Sequence, residues 1–445
     1  MRHHAQVTIE APPPGPAVRR SALAEPSEDP SGRWVAFLTL ASIGLWAGFF
    51  GLIQVLLAQQ AEAIDATHKK EILAVVLGIG ALTSVICNPV FGAFSDRTTF
   101  RRGRRLPWIV GGALGGALSL LVLSVADNVV VMALGWCGVQ AALNAMLAAV
   151  TATVPDQVPV HTRGRVGGIL AVAQTLGVVG GTGVASATGS IAAGYAVIAA
   201  VLLLLTIPYA LDSHDIALTP EERPAPFDWV AFAKSFWISP RRHPDFAWAW
   251  ITRVLVNLGN ALGLLYLLYY LQDAVGIAKD DADGRVFVLT ATYGAVLMAT
   301  AVVFGVWSDR SGRRKVFVIW SGVVGACASL MLALVQTWPA AVAAAVLMGI
   351  GYGIYTAVDF ALITQVLPDA EDRAKDLGVI NIANALPQVF APMIAGLLLI
   401  GVEALGGATE THGNAFSVGY FVVYTSAFVA AILGSVFVTR IRSVP

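Results

Sequence analysis

Gly92-Ala-Phe-Ser-Asp-Arg97 and Gly305-Val-Trp-Ser-Asp-Arg310 are two copies of one pattern, Gly-x-x-Ser-Asp-Arg, set 213 residues apart. A second pair keeps the same spacing, since Val154-Pro-Asp156 recurs as Leu367-Pro-Asp369. Two landmarks at one offset mark a duplicated unit, so each half of the chain is one copy of the same architecture. Working outward, the landmarks stand between long apolar runs. Of the 445 residues 57% are hydrophobic and 13% charged, and the mean hydropathy is +0.72. A soluble domain carries about 25% charged residues, and a globule of this size could not hide so much apolar surface from water.

A membrane-crossing helix needs about 20 mostly apolar residues. Twelve such stretches are expected, at 34–59, 71–95, 106–126, 129–154, 164–187, 190–211, 246–272, 285–308, 315–336, 338–366, 374–401 and 416–439. The expected fold class is therefore an all-α membrane protein of twelve transmembrane helices in two pseudo-symmetric six-helix bundles. Residues 1–33, rich in proline, read as a disordered tail, and 34–211 as the first bundle. The proline-rich 212–245 reads as a linker, and 246–445 as the second bundle with a short tail.

Lys and Arg fix the orientation. Of the 28, 23 fall on the side that holds both termini, Lys69, Lys70, Lys279 and Arg285 fall on the other, and Arg253 lies inside a span. Both termini are expected in the cytoplasm of a multi-pass plasma (inner) membrane protein. Zero net charge gives no footprint for nucleic acid. Cys87, Cys137 and Cys327 lack the paired spacing of a disulfide framework or zinc site. There is no Walker-type phosphate loop, no nucleophile–base pair and no metal cluster, so neither an ATP-driven pump nor an intramembrane enzyme is expected, and no cofactor.

In the two Asp-Arg loops glycine allows close helix approach, the aspartate can cap a helix or pair with arginine, and the basic cluster suits the anionic leaflet. Alone, either loop could be a set of topology-fixing charges; its duplication favours a hinge. At these residues the chain resembles the major facilitator superfamily from about residue 34 onward. The signature Gly-x-x-x-Asp-Arg-x-Gly-Arg-Arg falls on Gly305, Asp309, Arg310, Gly312, Arg313 and Arg314. The first copy, on Gly92, Asp96, Arg97, Arg101, Gly103, Arg104 and Arg105, carries four extra residues. That longer form is similar to the sucrose symporters and the glycoside–pentoside–hexuronide cation symporters. The resemblance implies a gate that locks and unlocks the two halves. Asp156 with Arg163, and Asp369 with Arg373, sit at the next equivalent turns and are expected to join it. Two features depart from relatives: Asn88 stands before Pro89 where an acid would hold sodium, and the fifth span lacks the Gly-Pro motif of drug–proton antiporters.

The same resemblance implies that helices 1, 4, 7 and 10 line a central cavity. Independently, each carries aromatic or polar residues at helical spacing. These are Trp46, Phe50 and Gln54; Trp136, Gln140 and Asn144; Asn257 and Asn260 beside Arg253; and Tyr352 and Tyr355 beside Asp359. The eleventh span adds Asn381, Asn384 and Gln388. Amides inside a bilayer serve as helix–helix glue or as cavity lining; four stripes on four lining helices favour the cavity. Rings beside amides suit a sugar, whose CH face stacks while its hydroxyls bond, and they would also accept a drug. Arg253 and Asp359, costly in hydrocarbon, are expected to face each other, either as a proton-coupling pair or as a static ion pair. The expected function is alternating-access transport: proton-coupled uptake of a sugar or glycoside, or proton-coupled efflux of drugs or metabolites. A receptor that keeps the fold and transports nothing is the alternative of another class. The expected partners are a small-molecule substrate, H+ and the lipid bilayer, with no need of a second copy.

Overall fold

The computed structural model describes residues 26–212, 240–311, 313–365, 373–409 and 416–442, with Asp215, 217–218, Glu222 and 228–230 between the halves. Among the described residues the chain is helical, without strands. The first half holds α1 (Gly32–Ile64), α2 (Lys69–Asp96), α3 (Leu106–Ser124), α4 (Val129–Gln157), α5 (Val160–Ala187) and α6 (Ile191–Asp212). The second holds α7 (Pro244–Leu264 continued by Leu267–Asp273), α8 (Lys279–Ser311), α9 (Arg314–Leu334), α10 (Trp338–Gln365), α11 (Arg373–Ala404) and α12 (Val418–Phe437). Local chemistry starts several of them. Ser31, Asn128 and Ser417 cap α1, α4 and α12 through their side-chain oxygens, and prolines open α3 and α7.

Among the described residues ten helices are long and apolar enough to cross a bilayer alone, and α7 makes an eleventh if its two segments count as one span. The twelfth, α11, is continuous, and among the described residues it carries the apolar stretch Phe390–Ala404. Large apolar side chains such as Leu118, Leu134, Leu204 and Leu397 stand exposed on the outer faces, where lipid replaces water.

Packing reveals the repeat. In the first half the strongly packed pairs are α1–α5, α1–α6, α2–α4, α3–α4 and α3–α6. In the second they are α7–α11, α7–α12, α8–α10, α9–α10 and α9–α12, the same five pairs advanced by six helices. The halves meet through α2–α11 and α5–α8, which that same advance exchanges for one another. This is the pseudo-twofold arrangement of two six-helix bundles.

Two helices depart from continuity. A π-helical turn, Leu52–Leu56, interrupts α1 at Gln54. At Leu265–Tyr266, α7 bends by 45°, and Tyr266 there is left-handed at φ 61°, which costs a residue with a Cβ roughly 1–2 kcal/mol. Its hydroxyl lies 3.4 Å from the carbonyls of both Lys70 and Pro392, so the break is held by contacts to α2 and α11.

At the end away from the Asp-Arg loops, Gln60 closes the first bundle. Its Nε2 donates to the Leu123 and Ala126 carbonyls at 2.8 and 3.0 Å, and its Oε1 accepts from Tyr195 Oη at 2.7 Å. Gln60→Leu leaves the phenol and the end of α3 unpartnered, and is expected to lower stability by about 1–3 kcal/mol in thermal unfolding of detergent-solubilised protein.

Candidate functional site

The polar residues of the first half converge on Asn144. It accepts from Ser84 Oγ at 3.0 Å and Asn88 Nδ2 at 3.2 Å, both on α2. Its own amide donates to the Gln140 carbonyl at 2.8 Å and to Gln140 Oε1 at 3.1 Å. Ser84 was not among the residues expected from the sequence stripes, because periodicity along α4 says nothing of α2. Trp136, expected in the same lining stripe, lies elsewhere: it is 1% exposed and wedged against α2. A Cβ on Gly80 would stand 2.1 Å from its Nε1, so Gly80 leaves the gap that the indole fills. On α1, Trp46 packs on Phe50 with centroids 6.0 Å apart, while Gln54 is buried in the π turn.

In the second half the organising group is Arg253. Its Nη1 lies 2.7 Å from Asp359 Oδ2, and its Nε donates to Asn384 Oδ1 at 2.6 Å. Asn257 donates to the Arg253 carbonyl at 2.8 Å and accepts from Tyr352 Oη at 2.8 Å. Tyr352 and Tyr355 stack at 5.6 Å. Asn260 is turned away, accepting from Tyr293 at 3.2 Å. The side chains of Asn381 and Gln388 lie outside the described residues.

These two clusters stand at one depth. Across the boundary between halves, α2 and α11 run antiparallel: Cβ atoms placed on Gly78 and Gly396 would touch Met393 at 3.0 Å and Ala74 at 2.4 Å. Two to three further turns toward the Asp-Arg-loop end, Ser84 and Asn88 come level with Asn384. Gln140, Asn257, Asp359 and Arg253 are all buried rather than turned to lipid.

At the loop end, Asp156 is the hub. Arg104 holds it through Nη2–Oδ1 at 2.6 Å and Nε–Oδ2 at 3.1 Å, and Arg105 through Nε–Oδ2 at 2.7 Å. Arg105 also reaches Asp96 at 2.6 Å and Ser95 at 2.9 Å. Burial opposes the Arg105 charge, but the bonds and charges of Asp156 and Asp96 hold its pKa above the ordinary value. Asp215, from the segment after α6, was not foreseen. It accepts from the Arg105 backbone N–H at 2.7 Å and from Gln157 Nε2 at 3.2 Å, capping α3 from 110 positions away. Burial raises its carboxyl pKa despite the Arg105 N–H. Gly103, at φ +104°, has no room for a Cβ, which would lie 2.2 Å from Asp215.

Arg97 donates to its own helix at Ala93 O, and Arg163 to the Val158 and Pro155 carbonyls that end α4. Arg101, Arg310 and Arg313 are exposed. A Cβ on Gly92 or Gly305 would sit 3.7 or 3.9 Å from Ala148 or Ala357, an ordinary contact; the close approach expected of these glycines is not made in this conformation. Gly312 and Asp369, and the side chains of Asp309 and Arg373, lie outside the described residues.

The opposite end holds a charged network that the sequence offered only as topology. Lys69 and Lys70, at the start of α2, reach Asp273 of α7 at 3.7 and 3.4 Å. Lys69 also pairs with Glu62 of α1 at 3.5 Å, Lys70 with Glu403 of α11 at 3.3 Å, and Lys279 of α8 with Glu62 at 3.3 Å. Tyr420 of α12 donates to Asp273 at 2.9 Å. Gln59 bonds Asp283, and Tyr269 donates to Ala58 O at 2.7 Å. Apart from Lys69–Glu62 and Tyr420–Asp273, each of these contacts joins the two halves, so this end is shut. Nearby, Asp65 and His68 form an exposed pair at 2.8 Å. Its hydrogen bond raises the imidazole pKa from 6.5 and lowers that of the carboxyl from 3.8. The pair is complete between those values, fading as pH rises through the imidazole's raised pKa or falls through the carboxyl's lowered one. The ring-proton titration of His68 is expected above 6.5, and to fall back toward that value in Asp65→Asn.

Comparison with known proteins agrees with this architecture. The family model of the Major Facilitator Superfamily matches residues 35–289 and 284–445. The chain is 30% identical over 145 residues to the multidrug resistance protein MdtL of Shigella flexneri, covering 32% of this chain and 37% of that protein. To MdtL of Escherichia fergusonii it is 30% identical over 162 residues, covering 35% and 41%. The chain thus matches about two fifths of these relatives' length. The nucleoside transporter NupG superposes with a TM-score of 0.70 at 11% identity, covering 92% of this chain and 98% of that one. A POT family transporter in complex with 5-aminolevulinic acid superposes at 0.72 with 13% identity, covering 95% and 100%. Identities this low carry the fold alone. The family match spans both halves: the chain belongs to the Major Facilitator Superfamily of membrane transporters.

Proposed function

We propose that this transporter moves a small hydroxyl-bearing solute, a sugar or glycoside, together with protons, by rocking two bundles (34–211 and 246–445) about the Asn144 and Arg253 clusters. The Asp-Arg loops face the cytoplasm with both termini, and the chain works as a monomer in the plasma (inner) membrane. The observation that carries this reading is the buried Arg253–Asp359 pair, held by Asn384 and level with the Ser84–Asn88–Asn144 amides. Amides and phenols supply both donors and acceptors, as hydroxyls require. A carboxylate paired to arginine beside them gives a proton a place to compete with the ion pair. The longer first loop, resembling sucrose and glycoside–cation symporters, supports the same solute class, and Asn88 in place of an acid favours protons over sodium.

The likeness to MdtL favours a second reading, proton-coupled drug efflux. Counterflow of a labelled sugar and glycoside panel in proteoliposomes, with and without a pH gradient, separates the two. The first reading expects sugar counterflow with alkalinisation of the outside medium on uptake. No sugar counterflow, together with drug sensitivity on gene deletion, would establish the second. In Asp359→Asn, gradient-driven accumulation is expected to vanish while counterflow persists; accumulation left intact would remove Asp359 from coupling.

A further inference from the structure

Two buried polar groups take no part in either central cluster. Gln54 is 5% exposed, and its Oε1 accepts no hydrogen bond among the described residues. Thr290 of α8 is 1% exposed, and its Oγ1 is equally without a partner there. A hydroxyl inside a helix commonly turns back on the carbonyl four residues earlier. Thr39, Thr153 and Thr206 do so at 2.7–2.8 Å; Thr290 does not. Each orphaned group has given up water for nothing within the chain, and so calls for a partner from outside it.

Both stand where the halves meet. On α8, Asp283, Phe287, Thr290 and Gly294 recur at helical spacing and share a face. Asp283 holds Gln59 of α1 and, through its carbonyl, accepts from Ser186 of α5 at 2.9 Å. Cβ atoms placed on Gly183 and Gly294 would touch Phe287 and Thr175, each at 3.0 Å. Thr290 is the remaining member of this first-half-facing stripe. On α1, the π turn that carries Gln54 follows Gly51, where a Cβ would lie 2.7 Å from the Gly181 carbonyl. Such turns are frequent at functional sites.

Counted inward from the Gln59–Asp283 contact, Gln54 is five residues along α1 and Thr290 seven along α8, so they lie within about one turn of the same level. The two helices run antiparallel and side chains lean toward their helix's N-terminus, which brings these two toward each other. A Cβ on Gly48 would stand 2.9 Å from Leu143, the neighbour of Asn144. Gln54 is six residues, about 9 Å, farther outward. The pair therefore lies between the central level and the shut end. Trp136 Nε1 is also orphaned, but it is sealed against Gly80.

We propose that Gln54 and Thr290 form an outer solute subsite that grips a neutral hydroxyl of the transported molecule from both halves at once. An amide and a hydroxyl together offer donors and acceptors without charge, which is what an alcohol group matches. The sugar class of the solute rests on the reading under Proposed function; the location of the subsite does not.

Binding of radiolabelled sugars and glycosides to the full chain in lipid nanodiscs tests it in the parent, Gln54→Met and Thr290→Val. Both replacements keep the size of the side chain and remove the orphaned group. Each is expected to weaken binding of the sugar that the parent takes by about tenfold, the worth of one hydrogen bond. The melting temperature without sugar should hold or rise, because no internal bond is lost. Among monodeoxy analogues of that sugar, one should lose about tenfold on the parent and little more on Thr290→Val, the mark of a shared contact. Unchanged sugar affinity in both variants, or a fall in melting temperature in both, would overturn the proposal. If the parent binds drugs and no sugar, the same substitutions are read on the drug. Weakened drug binding with an intact melting temperature would then remove the solute class and keep the subsite; unchanged drug binding would remove the subsite.

Discussion

Arg253→Met is expected to destabilise the folded chain by about 3–5 kcal/mol at neutral pH, the cost of stranding one charge of a buried pair. The substitution preserves an apolar stem of similar length while removing the guanidinium that binds both Asp359 and Asn384. Asp359 is 8% exposed and, without its arginine, must hold its charge unpaired or take up a proton, at a cost either way. The companion prediction isolates the cause: adding Asp359→Asn should recover most of the loss, because a buried amide there keeps the Tyr355 hydroxyl as a neutral partner. Thermal unfolding of the single and double variants in detergent checks this directly. If the double variant is no better than Arg253→Met, the loss came from packing of the arginine stem and not from an orphaned carboxylate.

The second large effect belongs to Asp156. Both arginines that hold it are nearly buried, with side-chain exposures of 9% for Arg104 and 3% for Arg105. Asp156→Ala removes the carboxylate from both, and is expected to cost about 3 kcal/mol, toward the lower end for a broken buried pair because Asp156 is itself at the helix end. Asp96 carries the motif's aspartate but is 52% exposed, so Asp96→Ala should cost no more than about 1 kcal/mol. The ordering is the test. Equal losses would mean that the loop is held as one surface network; the expected inequality assigns Asp156 to holding the fold and leaves Asp96 available for gating.

Legibility in the sequence divides along a physical line. Apolar runs and the repeated Gly-x-x-Ser-Asp-Arg pattern were readable because membrane spans and duplication are written locally. The break in α7 was not: Leu264-Leu-Tyr-Leu-Leu268 contains neither glycine nor proline, and the left-handed Tyr266 is held by carbonyls on α2 and α11. Asp215 was invisible for the same reason, its partner Arg105 being 110 positions distant. Lys69 and Lys70 were legible only as charges on one side; that they converge on Asp273 depends on how α2 meets α7. Trp136 shows the limit of stripes, since helical spacing identifies a face but not whether a cavity or Gly80 lies opposite it. The Arg253–Asp359 pair was legible because charges inside apolar spans are scarce and must find each other or water.

Alternating access requires two bundles that pivot about a shared polar level, closing one end as the other opens. Paired spin labels test it most directly, one pair at Ala66 and Ala278 and another at the exposed Arg101 and Arg310 of the loop end, read in the same membrane with and without a transported sugar. Distances that change in opposite directions at the two ends are the predicted result. Distances that stay fixed at both ends, or lengthen and shorten together, would contradict it.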